Sequence, residues 1–167
     1  SAWRYKEGER AENRIKDREI INRKIEEIKL NQEIKQKFCS LLGEEKVLID
    51  EPMSRHTTFR IGGPADYFLL PSCSREVQGI LAICKEEGLP YFILGNGSNL
   101  LVSDAGYRGV IIHLYRNFNE IRVEGTEIRA CAGALLSGIA AAARNASLTG
   151  FEFAGGIPDQ PYNRNFC

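Results

Sequence analysis

The stretch Leu94-Gly95-Asn96-Gly97-Ser98-Asn99-Leu100-Leu101 lies between two apolar runs, residues 91–94 and residues 100–102. Both runs predict strands, so the glycine and polar residues between them are predicted to form a turn. Such a turn can aim several backbone N–H groups into one concavity, which suits an anion. It contains no Lys or Arg, so we expect amide dipoles to hold any phosphate that binds there.

Each residue of the turn contributes either backbone freedom or a polar group. Gly95 and Gly97 can adopt a positive φ without a Cβ penalty, and Asn96 and Asn99 tolerate one better than most residues. Ser98 adds a hydroxyl donor. A Rossmann fingerprint is excluded because it needs a third glycine with a helix directly after it, and a Walker A loop because it needs Gly-Lys-Ser/Thr. Because short glycine motifs often match by chance, a glycine-rich β-turn that binds nothing is the alternative.

The composition is that of a soluble globular protein, with 43% apolar and 26% charged residues. The 22 basic and 22 acidic residues balance, so the charge favours neither nucleic acid nor an anionic membrane as a partner. No apolar segment approaches the roughly 20 residues that span a bilayer, and no signal sequence is visible, so we expect a cytoplasmic protein without membrane insertion. His56 and His113 stand alone in the sequence, and each is expected to be a hydrogen-bonded or exposed histidine rather than a ligand. The cysteines are odd in number and scattered, which predicts reduced thiols rather than disulfides or a zinc site: Cys39, Cys73, Cys84, Cys131 and Cys167.

The first half of the chain alternates helical and strand patterns. Residues 1–27 form a charged extension, for which a solvated helix and a mobile segment are both open, and residues 28–42 continue as a helix that Gly43 ends. Residues 57–61 and 67–70 are predicted strands. A helix capped by Ser72 or Ser74 follows, and Gly88 ends it. With the strand at 91–94 this makes a strand–helix–strand unit, which predicts a parallel pair with a right-handed crossover.

The second half has a different pattern. A strand is predicted at 109–114, and a hairpin turns at Gly125 between 121–123 and 127–131. A helix over 134–146 and a second glycine-rich turn at 149–158 follow. We therefore predict an α+β fold.

Three separated stretches, residues 57–66, 94–104 and 150–158, occur together in an order and spacing that is specific. They read Thr-Thr-Phe-Arg-Ile-Gly-Gly-Pro-Ala-Asp, then the glycine turn with Val-Ser-Asp after it, then Gly-Phe-Glu-Phe-Ala-Gly-Gly-Ile-Pro. Together they resemble the amino-terminal half of the UDP-N-acetylenolpyruvoylglucosamine reductases, over residues 28–158. After residue 158 the sequence departs from the family pattern, and residues 159–167 are an off-pattern tail.

The resemblance implies a two-lobed FAD-binding domain of the vanillyl-alcohol-oxidase type, here truncated. A small α/β lobe would cover about 45–103, and a lobe with antiparallel strands about 104–158, with FAD between them. The resemblance also implies a role for Arg60 at a phosphate, although an ordinary surface arginine is an equal alternative. The residues implied to bind FAD are Gly95, Asn96, Gly97, Ser98, Asn99 and Leu100 at the pyrophosphate and Gly155, Gly156, Ile157 and Pro158 near the isoalloxazine.

In the family, NADPH reduces FAD, and the reduced flavin reduces the enolpyruvyl group of the UDP-sugar during peptidoglycan synthesis. The serine, arginine and glutamate that assist belong to a substrate domain that this chain does not match. We therefore expect no catalytic residue here and no turnover by this chain alone. Two alternatives stay open, a nucleotide-binding module without turnover and another flavin oxidase or dehydrogenase of the same fold.

Overall fold

A computed structural model describes residues 2–115 and 117–156 of the chain. The chain divides into two compact units after Lys37. The first unit is helical and belongs to α1, which spans Ala2–Leu42. Several of its apolar side chains are exposed, namely Ile20, Ile21, Ile25, Ile28 and Leu30.

Helix α1 includes residues 2–27, the charged extension for which the sequence leaves a solvated helix and a mobile segment both open. The charged residues before Ile28 are mostly Arg, Lys and Glu, which are good helix formers, so a helix is favoured there even where large apolar side chains are few. Its predicted end is confirmed. Gly43 follows with φ 93°, and its N–H donates to the carbonyl oxygen of Cys39 at 2.8 Å.

The second unit contains a four-stranded sheet with strand order β1-β2-β4-β3. Strand β1 is antiparallel to β2, whereas β4 is parallel to both of its neighbours. The inner strands carry the most deeply buried side chains, because each has a strand on either side: Phe68, Leu69, Val110, Ile111 and Ile112. The strands span Val47–Pro52 (β1), Pro64–Leu69 (β2), Tyr91–Leu94 (β3) and Tyr107–His113 (β4).

The predicted strand–helix–strand unit is present, but its two strands are not neighbours. Strands β2 and β3 run parallel on either side of β4, which enters the sheet later in the chain. The prediction that they pair directly is wrong, because strand order depends on pairing between distant segments.

The place of β4 in this sheet is also relevant to the predicted lobe boundary near residue 103. That boundary stays a prediction, and the place of β4 favours a position after residue 113.

Two predicted strands are irregular backbone instead. In 57–61, the hydroxyl of Thr57 donates to the carbonyl oxygen of Ile61 at 3.0 Å and the N–H of Arg60 to that of Thr57 at 3.1 Å, which closes a turn. Local bonds of this kind compete with a sheet ladder. In 100–102, Leu100 and Val102 pack against a buried core cluster without joining the sheet. That core cluster consists of Met53, Ala65, Phe68, Leu94 and Ile111.

Helix α2, Ser74–Glu86, buries Ile80 and Cys84 as its apolar spacing predicts. Its end at Gly88 is confirmed, with φ 64° at Gly88 and a bond from the N–H of Leu89 to the carbonyl oxygen of Cys84 at 2.8 Å. The predicted serine caps are wrong. Cys73 occupies the cap position, and the carboxylate of Glu76 accepts a bond from the N–H of Ser72 at 2.6 Å instead.

The remaining elements form an antiparallel hairpin and a helix. Strands β5, Ile121–Glu124, and β6, Glu127–Ala130, pair around Gly125 as predicted. Helix α3, Leu136–Asn145, buries Leu136, Ile139 and Ala143. A short 3-10 helix, Glu152–Gly156, follows it. Within the described parts of the chain, no helix has both the length and the apolarity to cross a membrane.

Candidate functional site

The glycine turn lies at the carboxyl end of β3, beside the carboxyl end of β4. Leu94 pairs with His113 at this end, and the N–H of Leu114 donates to the carbonyl oxygen of Leu94 at 2.9 Å. Ligands of open α/β sheets bind outside the carboxyl ends of parallel strands. The turn therefore occupies the edge of the sheet where a ligand is expected.

Position 97 is the one position of the turn that requires glycine. Within residues 95–99 it alone has a positive φ, 68°, so the freedom predicted for Gly95, Asn96 and Asn99 is not used. Gly97 is also buried, and a Cβ built on it would collide with the carbonyl oxygen of His56. The N–H of Thr58 donates to the carbonyl oxygen of Gly97 at 3.1 Å. The turn at 56–58 thus supports the glycine turn through backbone contact.

The side chain of His56 anchors the turn at 56–58. Its Nε2 lies 3.0 Å from Oε1 of Glu51, and its ring stacks on Phe68 with centroids 4.1 Å apart and planes at 26°. Phe68 is fully buried, so the stacked ring rests on the core. His113 lies edge-on to His56 at 5.7 Å between centroids. The two histidines, which stand far apart in the sequence, therefore form one cluster behind the glycine turn.

A cavity of about 150 Å³ opens beside the glycine turn. The turn supplies its polar wall and strand β3 an apolar one, and Leu114 and Ala132 complete it. Gly133, the neighbour of Ala132, is held close to the end of β4. Its N–H donates to the carbonyl oxygen of Phe118 at 2.7 Å, and a Cβ at this position would collide with the carbonyl oxygen of Leu114. The full set of wall residues is Phe92, Ile93, Leu94, Gly95, Gly97, Ser98, Asn99, Leu100, Leu114 and Ala132.

The walls of this cavity contain no charged side chain among the residues that the structure describes. The nearest arginines in sequence to the supporting turn are Arg55, which lies 3.6 Å from the carboxylate of Glu51, and Arg60, which is exposed with φ 54°. At the opposite end of β4 from the site, Tyr107 packs against the core cluster, and burial, with a smaller effect of Cys84, raises the pKa of its phenol. An anion at the turn would therefore be held mainly by backbone dipoles and hydroxyl or amide groups.

The predicted site residues divide into two groups. Gly95, Gly97, Ser98, Asn99 and Leu100 line the cavity, and Asn96 lies in the same turn without lining it. Gly155 and Gly156 lie in the 3-10 helix after α3, while Ile157 and Pro158 fall outside the described residues. A separate cavity of about 510 Å³ lies between the end of α3 and this 3-10 helix, with Arg144, Ser147 and Glu152 in its walls.

The sequence alone does not predict the apolar wall of the cavity or the contact between the turn at 56–58 and the glycine turn. It predicts Phe92 and Ile93 only as strand residues, and nothing local marks Leu114 or Ala132. It predicts only that His56 is a hydrogen-bonded or exposed histidine and does not place it near the glycine turn. The signal in the sequence that could have indicated the apolar wall is the run at 91–93, because an exposed edge strand usually carries charged residues instead.

Residues 65–159 match the family model of an FAD binding domain. The chain is similar to UDP-N-acetylenolpyruvoylglucosamine reductase of Alkaliphilus metalliredigens, with 50% identity over 123 residues, 74% of this chain and 40% of that protein. The reductase of Heliobacterium modesticaldum is 52% identical over 108 residues, 65% of this chain and 34% of that protein. The chain thus spans less than half the length of these relatives.

Solved structures give the same result for the fold. The crystal structure of the reductase from Thermus caldophilus has a TM-score of 0.54 and 32% identity, and the match covers 69% of this chain and 39% of that one. The 4-ethylphenol oxidase of Gulosibacter chungangensis has a TM-score of 0.56 at 20% identity, over 71% of this chain and 25% of that one, which shows the fold alone. The predicted α+β fold of the vanillyl-alcohol-oxidase type is confirmed.

Proposed function

Because the chain belongs to the FAD-binding domain family and corresponds to the amino-terminal FAD-binding part of UDP-N-acetylenolpyruvoylglucosamine reductases, we propose that its glycine turn binds the pyrophosphate of FAD. One observation carries this proposal. Gly97 is buried at φ 68° against the backbone of His56, so the turn is rigidly backed at the carboxyl ends of two parallel strands and faces a cavity. These residues fit a pyrophosphate because they offer backbone N–H groups, the hydroxyl of Ser98 and the amide of Asn99, and no carboxylate is among the described wall residues.

When bound, FAD supplies the hydride chemistry of the reaction. The residues of this chain bind and orient it: the glycine turn at the pyrophosphate, and residues 155–158 near the isoalloxazine, as the resemblance implies. No residue of the chain is assigned to proton transfer. Holding the cofactor relative to the substrate is a large part of what a flavin domain contributes to the rate.

We further propose that the chain is the FAD-binding part of an NADPH-dependent reductase that converts UDP-N-acetylenolpyruvoylglucosamine to UDP-N-acetylmuramate in peptidoglycan synthesis. The names of the relatives support the substrate, and NADPH and the cytoplasmic location stay predictions from the resemblance and the composition. The 167-residue polypeptide by itself is expected to bind FAD without reducing the UDP-sugar, because positioning and acid catalysis of the substrate have no assigned residues in it.

Calorimetric titration of the purified chain with FAD tests the binding proposal. We expect saturable one-to-one binding that Gly97→Val abolishes, because a β-branched residue at that φ would clash with the backbone of His56. Gly125→Val is the matched control, since Gly125 has φ 62° with open space around it. Failure of the folded wild-type chain to bind FAD would overturn the proposal.

A kinetic assay addresses the wider reaction. NADPH consumption is followed by its near-ultraviolet absorbance under anaerobic conditions with FAD and the UDP-sugar. We expect no substrate-dependent consumption above the Gly97→Val variant. Turnover by the chain alone would mean that acid and substrate groups lie among residues that we treat as structural.

A further inference from the structure

The larger of the two cavities, of about 510 Å³, lies at the carboxyl-terminal end of α3, and its described wall residues differ from those beside the glycine turn. Its volume is within the range of roughly 300–1,000 Å³ that small-molecule sites have. The floor of this α3 cavity is apolar, with Ala143 buried and Ala140, Leu148 and Phe151 half-buried. An apolar floor with a few polar groups around it is typical of a small-molecule site.

The rim of the α3 cavity consists of four exposed polar side chains, Arg144, Ser147, Thr149 and Glu152. Within the part of the chain that the structure describes, no hydrogen bond or ion pair engages the guanidinium of Arg144 or the two hydroxyl groups. The carboxylate of Glu152 is held in place, because its Oε2 accepts a bond from the N–H of Gly150 at 2.8 Å. One cation and one fixed carboxylate therefore line the same cavity.

The end of α3 places these groups at the rim. The N–H of Leu148 donates to the carbonyl oxygen of Ala143 at 2.9 Å, and the N–H of Ser147 to that of Arg144 at 3.0 Å, which is the pattern of a Schellman cap. Ser147 takes the left-handed position of this cap with φ 56°, where glycine is usual, so a hydroxyl group is present at the rim. The carboxyl-terminal end of a helix also attracts cations.

We propose that the α3 cavity binds a zwitterionic α-amino acid with an apolar side chain, an inference that does not depend on the binding of FAD. The planar guanidinium of Arg144 offers paired N–H donors that match a carboxylate. The second oxygen of Glu152 and the end of α3 attract the ammonium group. The apolar side chain of the ligand lies on the floor.

Other ligand classes match fewer of these features. A phosphate or a dicarboxylate meets Arg144, but Glu152 repels its negative charge. A cation without an anionic group leaves Arg144 unpaired, and a neutral apolar molecule uses neither charge. An amino acid with an apolar side chain matches both charges and the floor together.

Three forms of one ligand test whether both charges are recognised. L-phenylalanine carries both charges, phenylalaninamide lacks the carboxylate, and N-acetylphenylalanine lacks the ammonium group. Each is titrated calorimetrically into the purified chain at about pH 6, where the amino groups are protonated. We expect each derivative to bind more weakly than phenylalanine by about 5-fold, the upper end of what an exposed ion pair contributes.

Two charge variants assign these losses to residues. Arg144→Gln should weaken phenylalanine by about 5-fold and leave phenylalaninamide unchanged, because the amide has no carboxylate to lose. Glu152→Gln should weaken phenylalanine similarly and leave N-acetylphenylalanine unchanged. Arg129→Gln and Glu127→Gln are the matched controls, since both side chains are on β6 with exposures of 69% and 72%, and neither should change any affinity.

A third variant, Ala140→Leu, tests the location by filling the floor without changing a charge. It should abolish the binding of all three ligands, and melting temperatures show that each variant is folded. The proposal is overturned if the wild-type chain binds none of the three, if it binds all three equally, or if folded Ala140→Leu binds as the wild type does. Equal weakening of phenylalanine and its amide by Arg144→Gln would also overturn it, because Arg144 would then act on the fold and not on the carboxylate.

Discussion

The carbonyl oxygen of His56 occupies the space that a side chain at residue 97 would need, and Gly97 is buried directly against it. This contact joins the turn at 56–58, which overlaps the first family motif, to the glycine turn at 95–99. It is supported by the bond from the N–H of Thr58 to the carbonyl oxygen of Gly97. The close approach accounts for glycine at this position in two ways, by backbone conformation and by space.

Replacing Gly97 by alanine separates these two requirements when it is compared with Gly125→Ala. Both glycines have nearly the same φ, 68° and 62°, so both variants incur the left-handed penalty of about 1–2 kcal/mol. Only Gly97→Ala adds a clash with backbone, whereas Gly125 has open space around it. We expect urea denaturation to show a larger loss of stability for Gly97→Ala, together with weaker FAD binding. Equal losses and intact FAD binding in both variants would show that the contact with His56 is not tight.

His56 is expected to act as a positioning residue for the glycine turn. His56→Ala removes both the bond to Glu51 and the stack on Phe68, while His56→Phe keeps the stack. We expect FAD affinity to fall in the alanine variant and to be partly restored in the phenylalanine variant, with stability changes of about 1 kcal/mol for the lost bond. Arg55→Gln serves as the control, because Arg55 is 69% exposed and its 3.6 Å pair with Glu51 is weak. If the folded His56→Ala variant bound FAD as tightly as the wild type, His56 would not position the glycine turn.

The contact between Lys46 and Glu76 predicts a pH-dependent contribution to stability away from the site. Burial raises the pKa of Glu76, but the N–H of Ser72 and the ammonium of Lys46 at 3.0 Å outweigh it and hold the pKa below its ordinary value. A carboxyl group with a lowered folded-state pKa stabilises the fold above its unfolded pKa and loses that contribution as the pH falls through the folded value. Glu76→Gln should therefore be less stable than wild type in urea at about pH 7 and nearly equal to it at about pH 2. A difference that persists in acid would mean that packing, not charge, is responsible.

The thiols should differ sharply in reactivity. Cys84 is 1% exposed, and its burial raises the pKa of its thiol to about 11. At about pH 8 it therefore has almost no thiolate, and a reagent in solvent cannot reach it. Cys73 and Cys131 are exposed and should react first with a thiol reagent in the folded protein. Peptide mapping by mass spectrometry assigns the labels, with a urea-unfolded sample as the control in which Cys84 reacts as well. Early labelling of Cys84 in the folded chain would show that α2 opens readily.

The sequence by itself determined those features that depend on a few neighbouring residues. Gly43 and Gly88 end their helices, Gly125 turns the hairpin, and the glycine turn follows its strand, because each requirement is met by local backbone conformation. The three family motifs are enough to identify the FAD-binding domain, since their order and spacing are carried by the linear chain. The extension at 1–27 is undecided in the sequence, because its charged residues fit both a solvated helix and a mobile segment, and an apolar helical spacing begins only at Ile21.

Only the tertiary structure decided which of these local features meet. Strand β4 enters between β2 and β3, the run at 100–102 packs on the core instead of pairing, and the turn at 57–61 closes on itself beside Gly97. His56 and His113 form one cluster for the same reason. Strand order and close backbone contacts depend on which distant segments bury each other's surfaces, and local periodicity carries no information about the identity of the distant partner.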